Sequence, residues 1–470
     1  MIMPVILWTD SLIFLLAAVV VVFILYARNK PHISTPWKRV FSGKVAAASI
    51  IVLLAFVLVG LLDSLHYRLP LEGNGNNGEI HYAGEVLSAL DTLVGPLRTQ
   101  VEKTYSAPFA THLFTMETVE QEDSSKVRDY PRLLYGASSL GETGAGRAGD
   151  ILQRSLLALV ETLLASGLLL FTTSAWLGRR RGQSTGVTVR RILQGDSTSI
   201  PWRTVLLMLS LLLLLLFLAI NLAGAYHVLG TDKVGQDVFY LSLKSIRTGL
   251  VIGTLTTLIM LPFAIFTGIL AGYARGWIDD VVQYIYTTLN SIPGVLLIAA
   301  AILMLQVFIA NHADYFETTV ERADIRLLFL CIILGITSWT GLCRLLRGES
   351  LKLREAEYIQ AAVSFGVAHG KIITRHILPN VMHVVLITVV LDFSGLVLAE
   401  AVLSYVGVGV DPTMNSWGNM INGARLEMAR EPVVWWSLLA AFLFMFILVL
   451  AANLFSDAVR DAFDPRTRSQ

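Results

Sequence analysis

Charged side chains are scarce in this chain of 470 residues: they make up 15% of it, against 54% hydrophobic residues and a mean hydropathy of +0.64. So little charge excludes an ordinary soluble domain, in which about a quarter of residues are charged, and it points to a membrane protein. The balance of 36 basic against 35 acidic residues excludes the concentrated basic excess of a nucleic-acid binder. Cysteine is nearly missing as well. Cys331 and Cys343 fall in one apolar stretch with a spacing that suits neither a metal site nor a disulfide framework, so both read as small core residues.

Catalytic signatures are also missing. GETGAGRA at 141–148 has the glycine spacing of a phosphate loop, but Arg147 and Ala148 stand where Lys and Ser/Thr would meet phosphate and magnesium. The run reads as a linker. HExxH, GxSxG and clustered His/Cys ligands do not occur. The sequence therefore assigns no catalytic residue, cofactor or metal to this chain, and if ATP drives the protein another chain binds it. No positive charge precedes the first apolar run, while Arg28 and Lys30 follow it; a retained anchor running from outside to inside is expected, rather than a secretion signal.

What is present is long apolar segments. About 20 residues cross the hydrocarbon core, and nine segments approach that length, near 5–27, 45–62, 152–177, 204–226, 249–273, 281–310, 327–346, 381–403 and 433–455. Residues 28–44 carry five basic residues and no acid, and 178–203 carry six arginines against Asp196; the positive-inside rule puts both in the cytoplasm. Segment 63–150 holds 13 acidic against 7 basic residues, and 311–326 holds four against two, so both are expected outside. The N-terminus is then outside and the C-terminus cytoplasmic. About 88 residues at 63–150 suffice for a small extracytoplasmic domain, with a GNGNNG turn cluster at 73–78.

One polar stretch, EYIQAAVSFGVAHGKIITRHILP at 357–379, interrupts the apolar pattern on the cytoplasmic side. Helix is expected from about Gly348 to Ser364, with Tyr358, Ala361, Ala362 and Phe365 on one side. Gly366 breaks it, and a second short helix from about His369 is expected to end at Pro379. Small residues beside a flexible glycine would let a partner approach closely; a surface-lying amphipathic loop is the alternative.

QAAVSFG at 360–366 followed by RHILPN at 375–380 resembles the cytoplasmic EAA loop of ABC-importer permeases of the dipeptide, oligopeptide and nickel transport family, the binding-protein-dependent transport system inner-membrane components. LGTDKVGQDV at 229–238, LAEAVLSYVGVGVDP at 398–412, SWGNMI at 416–421 and NLFSDAVRDAFDPR at 453–466 resemble further family segments, in the family's order. Gln360 replaces the glutamate that names the loop, His376 stands where the general pattern has isoleucine, and Gln236 replaces an arginine. The resemblance implies an all-α integral membrane protein: a six-span permease core with three additional N-terminal spans and a small extracytoplasmic insertion. The corresponding divisions are two extra spans in 1–62, the insertion at 63–150, an extra span and basic linker at 151–200, the permease domain at 201–456 with its coupling loop at 347–380, and a tail at 457–470.

By the same resemblance, the chain pairs with a second permease and lines a pathway for peptides, or alternatively nickel or peptide-like compounds. Two cytoplasmic ATPase subunits would bind ATP and Mg, and an extracytoplasmic binding protein or lipoprotein would deliver substrate. Tyr358, Gln360, Ala361, Ala362, Gly366, Lys371 and Pro379 are the expected docking residues. Ionisable residues within spans call for a functional hypothesis: Asp392 and Glu400, with Trp417 of the outer loop, are candidates for the pathway or for contact with the second permease, and Glu161 is a further intramembrane carboxylate. Pro262 and Pro293 are expected to kink their helices. A secondary transporter would need inverted repeats, which the sequence lacks. A membrane-anchored sensor or assembly factor would act through 63–150.

Overall fold

The computed structural model describes residues 3–28, 30–71, 81–120, 126–138, 140, 146–195, 200–312 and 318–463. The turn cluster at 73–78 and residues 141–145 of the glycine-rich run lie outside them. The helices are α1 (Trp8–Arg28), α2 (Pro31–Ser42), α3 (Lys44–Asp63), the short α4 (Ala89–Leu93) and α5 (Gly95–Thr99), α6 (Arg147–Arg181), α7 (Thr185–Gln194), α8 (Trp202–Ala223) and α9 (Val238–Ala274). They continue with α10 (Trp277–Ser291), α11 (Gly294–Asn311), α12 (Thr319–Arg354), α13 (Glu357–Ser364), α14 (His369–Ile372), α15 (Leu378–Tyr405), α16 (Trp417–Glu427) and α17 (Trp436–Phe463). Strands β1 (Met3–Val5), β2 (His66–Arg68) and β3 (Leu87–Ser88) form an antiparallel sheet in that order, and β4 (Glu117–Glu120) pairs with β5 (Lys126–Asp129).

Among the described residues, nine helices are long and apolar enough to cross a bilayer: α1, α3, α6, α8, α9, α11, α12, the continuous stretch His369–Tyr405, and α17. Helices dominate because a backbone in hydrocarbon must satisfy its hydrogen bonds within its own segment. The expected span at 281–310 is corrected. Ile292 is extended, with φ −88° and ψ 129°, and Pro293 caps α11, so the proline separates two helices instead of kinking one. Proline pushes the preceding residue out of helical geometry and offers no N–H to continue the ladder. Pro262, by contrast, lies inside an unbroken α9.

Two packed units are present. One comprises residues 1–5, 31–248 and 415–458. Within it residues 81–120 and 126–138 fold onto residues 224–248 and 416–436. Tyr105, Val238, Val434 and Trp436 share a buried core, Phe114 meets Trp436 edge-on at 4.9 Å, and Trp417 packs against Phe56 and donates its indole N–H to Ser242 O at 3.2 Å.

The other unit comprises residues 6–30, 249–414 and 459–470. Asp324 caps α1 by accepting both the amide N–H of Thr9, at 3.2 Å, and its hydroxyl. Helices α9 and α12 approach through Gly268 and Gly272. A Cβ at Gly268 would lie 2.8 Å from Cys343 O, and one at Gly272 would lie 2.6 Å from Arg347 O. This small-xxx-small spacing is how membrane helices gain close van der Waals contact without a hydrophobic drive. Cys331 and Cys343 are free and buried, as the sequence suggests.

Candidate docking loop

The polar stretch after α12 is built in the second unit as a bent frame. α12 runs unbroken from its span to Arg354, Glu355 and Ala356 turn the chain, and α13 follows. The helix expected over 348–364 is thus interrupted, since Ala356 leaves helical geometry at φ −68°, ψ 137°. Gly366 lies at φ +73°, a left-handed conformation that costs an L side chain roughly 1–2 kcal/mol. The second helix does not stop at Pro379. It passes from α14 through a π-helical turn, Ile373–Ile377, into α15, with Pro379 in the first turn of α15. Proline is tolerated there because its missing N–H falls where the π turn has already shifted the hydrogen-bond register.

The frame is anchored from below. Ile359, Ile372 and Ile377 are fully buried in the core formed with Met260, Ala264, Leu342 and Leu346. Arg347 grips Asp279 with two hydrogen bonds, at 2.5 and 2.7 Å. Arg354 donates to Tyr273 O at 2.7 Å, and the Tyr273 hydroxyl lies 2.7 Å from His369 Nδ1. Arg275 pairs with Glu355. None of these anchors was picked out by periodicity, although an isoleucine recurring through a polar stretch is a usable sign of an inward face.

Upward, the loop exposes an apolar edge. Phe365 is 86% exposed, and Tyr358 and Val363 are 47% and 46% exposed. Ala361 is exposed, whereas Ala362 is half-buried and packs on the core. Tyr358 also accepts from Asn380 Nδ2 at 3.2 Å, which ties α13 to the start of α15. Gln360 is exposed, and its Nε2 donates to Glu355 O at 3.3 Å and lies 3.5 Å from Glu355 Oε2, contacts for which an ionised carboxylate at this position would have no donor. Lys371 and Pro379 are exposed. A groove of about 640 Å³ lies beside the edge, lined by Tyr273, Arg354, Ile359, Gln360, Val363 and His369.

The carboxylates expected within spans lie on α6 and α15. Glu161 accepts from Asn221 Nδ2 at 2.8 Å, linking α6 to α8. Glu400 is buried and accepts from the Ser404 hydroxyl at 2.7 Å. Asp392 is half-buried in the middle of α15. Trp417 is 1% exposed inside the first unit.

In that unit, the LGTDKVGQDV segment is tied to the insertion. Asp237 Oδ1 accepts from the amides of Phe239 and Tyr240 at the start of α9, and its Oδ2 lies 2.8 Å from His227 Nδ1. His227 Nε2 lies 3.4 Å from Glu102, which also accepts from the amides of Leu134, Tyr135 and Gly136 at 2.8, 2.8 and 3.0 Å. Gln236 is exposed, and its backbone N–H, donated to Asp232 Oδ1 at 2.8 Å, is what the turn uses.

Comparison with known proteins agrees with this architecture. Residues 264–469 match the family described as binding-protein-dependent transport system inner membrane component. The glutathione transport system permease protein GsiD of Pectobacterium atrosepticum is 33% identical over 245 residues, 52% of this chain and 74% of that protein. The oligopeptide transport system permease protein OppC of Haemophilus influenzae is 31% identical over 243 residues, covering 52% and 71%. The dipeptide transport system permease protein DppC of Bacillus subtilis is 28% identical over 245 residues, covering 52% and 70%. With nine helices long and apolar enough to cross a bilayer among the described residues, and with these relatives, the chain belongs to the inner-membrane permease components of binding-protein-dependent transport systems.

Proposed function

We propose that this permease takes peptides, forming the pathway with a second permease subunit while two cytoplasmic ATPase subunits bind ATP and Mg. The names of the relatives, which concern glutathione, oligopeptides and dipeptides, support the substrate class. The observation that carries the coupling is the loop: an exposed edge at Tyr358, Ala361 and Phe365 on a frame whose underside is core. Interface anchors are typically aromatic side chains that fill a partner's pocket. Movement of the ATPases would push on that edge, and a close-packed base cannot absorb the displacement locally. The push would then pass through Ile359, the Arg347–Asp279 pair and the His369–Tyr273 bond to α9, α12 and α15, biasing them between two packings. Asp392 is the candidate pathway residue. In this reading the loop and the C-terminus face the cytoplasm, the N-terminus and segment 63–150 face outward, and an extracytoplasmic binding protein delivers substrate.

Purification of the native complex in mild detergent is expected to retain a second permease and two ATPase subunits. A complex that transports without them would refute the reading. Phe365→Ser is expected to leave insertion unchanged, since the side chain is almost wholly exposed, and to weaken ATPase retention more than tenfold, the loss of an anchor of about 2 kcal/mol. Full retention by this variant would remove Phe365 from the docking edge.

A further inference from the structure

The three added spans carry basic helices that the transport reading does not use. α6 has 35 residues, about 52 Å of helix against about 30 Å of hydrocarbon, so it projects beyond the core. Its last turn holds Arg179, Arg180 and Arg181. Gly182, at φ +64°, then reverses the chain, and α7 turns back against α6. The close approach is made at Gly178, where a Cβ would stand 2.9 Å from Gln183 O and 3.3 Å from the Thr188 hydroxyl. The fold-back buries Thr188 and Ile192 and leaves Arg190, Arg191, Val187 and Leu193 exposed together, the two apolar residues at 47% and 58%. Arg203, at the start of α8, lies beside the α7 C-terminus at Gly195.

Two of the guanidinium groups are already oriented. Arg180 stacks on Trp176, 4.1 Å from the ring centroid, and Arg191 donates to Gln183 Oε1 at 3.1 Å. Segment 63–150 and the spans on either side of it thread the start of α3 to the same side of the bilayer as the end of α6. There α2 presents exposed Lys38 and Arg39 over buried Pro36 and Val40, with Trp37 stacked on Phe41. No acidic residue occurs in 30–44 or 178–195. Topology alone asks only for positive charge. It does not ask for arginine six times, for a tryptophan-held guanidinium, or for a helix folded back with apolar and basic residues exposed side by side.

We infer that α2, the end of α6, α7 and the start of α8 form a binding surface for anionic phospholipid headgroups. Arginine's planar fork matches phosphate oxygens bidentately. Exposed Val187, Leu193 and Trp176 reach the acyl boundary as interfacial helices do. The occupant is a lipid, because exposed Val187, Arg190 and Leu193 follow one another at three-residue spacing along α7 and a phosphate in solution would use only the charged one.

The test uses the full chain in neutral detergent, with thermal unfolding and lipid retention by native mass spectrometry as readouts. Phosphatidylglycerol is expected to stabilise the chain and remain bound, and phosphatidylcholine to do neither. Arg190→Gln with Arg191→Gln is expected to lower phosphatidylglycerol affinity about thirtyfold, from the loss of two charges near an anionic surface. The same variant in phosphatidylcholine should unfold at the wild-type temperature, and Arg179, Arg180 and Arg181 remain to keep its orientation. Equal stabilisation by phosphatidylcholine overturns the proposal, as does undiminished phosphatidylglycerol binding by the variant. Inorganic phosphate reproducing the effect overturns it in favour of a soluble-anion site, and an inert phosphatidylglycerol overturns it in favour of an acidic protein.

Discussion

His227 sits between two carboxylates with 3% of its side chain exposed, and its protonation state follows from that position. Burial alone would push its pKa down, but the hydrogen bonds to Asp237 and Glu102 outweigh burial and raise it from 6.5 to about 9. Glu102 is pulled the other way. Burial would raise it, yet His227 and the amides of Gly136, Leu134 and Tyr135 hold it at about 2. The stability contributed by a raised histidine is complete below pH 6.5 and is lost as pH rises through about 9; that contributed by a lowered carboxylate is present above pH 4.5 and is lost as pH falls through about 2. The thermal midpoint of the full chain should therefore fall between pH 6.5 and 9. His227→Gln should flatten that slope while costing about 3–5 kcal/mol at pH 6, because a buried carboxylate loses its partner. A variant that keeps the wild-type slope would show that another group titrates there. The resemblance located Asp237 but not Glu102 or His227, since Glu102 lies 125 residues from the histidine it faces.

At the scale of elements, hydropathy located the nine long apolar helices found among the described residues, but it ran α10 and α11 together as one span and read α9 and α12 short, because their polar ends continue past the apolar run. The small helices α2 and α7 escaped it altogether, since charge in those segments registers as loop when only apolar runs are counted. The loop's bend at Gly366 was legible from one residue's conformational freedom. The π turn before Pro379 was not, because a proline in sequence signals only that a helix cannot continue in standard register. Gly268 and Gly272 are a clearer case of pattern with a structural consequence. At Gly272 a Cβ would meet both Arg347 O and the Ser350 Cβ at 2.6 Å, and Arg347 is the residue that holds Asp279. Gly272→Ala is expected to cost about 1–3 kcal/mol by overpacking, and Gly272→Leu more, with a matching drop in monodisperse protein on size-exclusion chromatography. Wild-type behaviour of the leucine variant would mean that α9 and α12 separate there at no cost.

At the scale of the molecule, the question is whether the part added to the family core is an appendage. Length and charge suggested a separate small domain at 63–150; the packing joins its described residues to the start of α9 and to residues 416–436 within one unit. The tightest join is electrostatic. Lys244, in α9, donates to Asp63 at the end of α3 at 2.5 Å, to Asp91 of α4 at 3.1 Å and to the Ser88 hydroxyl at 3.2 Å. Asp91 also accepts from the Tyr240 hydroxyl and the Ser88 amide, both at 2.8 Å. The two carboxylates are 4% and 5% exposed, so without the ammonium they would face each other unscreened. No local pattern could reveal this, because the partners lie 181 and 153 residues from Lys244. Lys244→Met is expected to destabilise the chain by about 3–5 kcal/mol, the cost of stranding a buried charge rather than the net worth of the pair. Adding Asp63→Asn should then recover part of that loss, since one stranded charge is removed and Asp91 keeps its hydroxyl and amide donors. In the wild-type background Asp63→Asn alone should be destabilising, so the sign of its effect reverses with the residue at 244. Thermal unfolding of the four proteins of this cycle measures the reversal. Additive effects would mean that the insertion and the core do not fold as one unit through this contact.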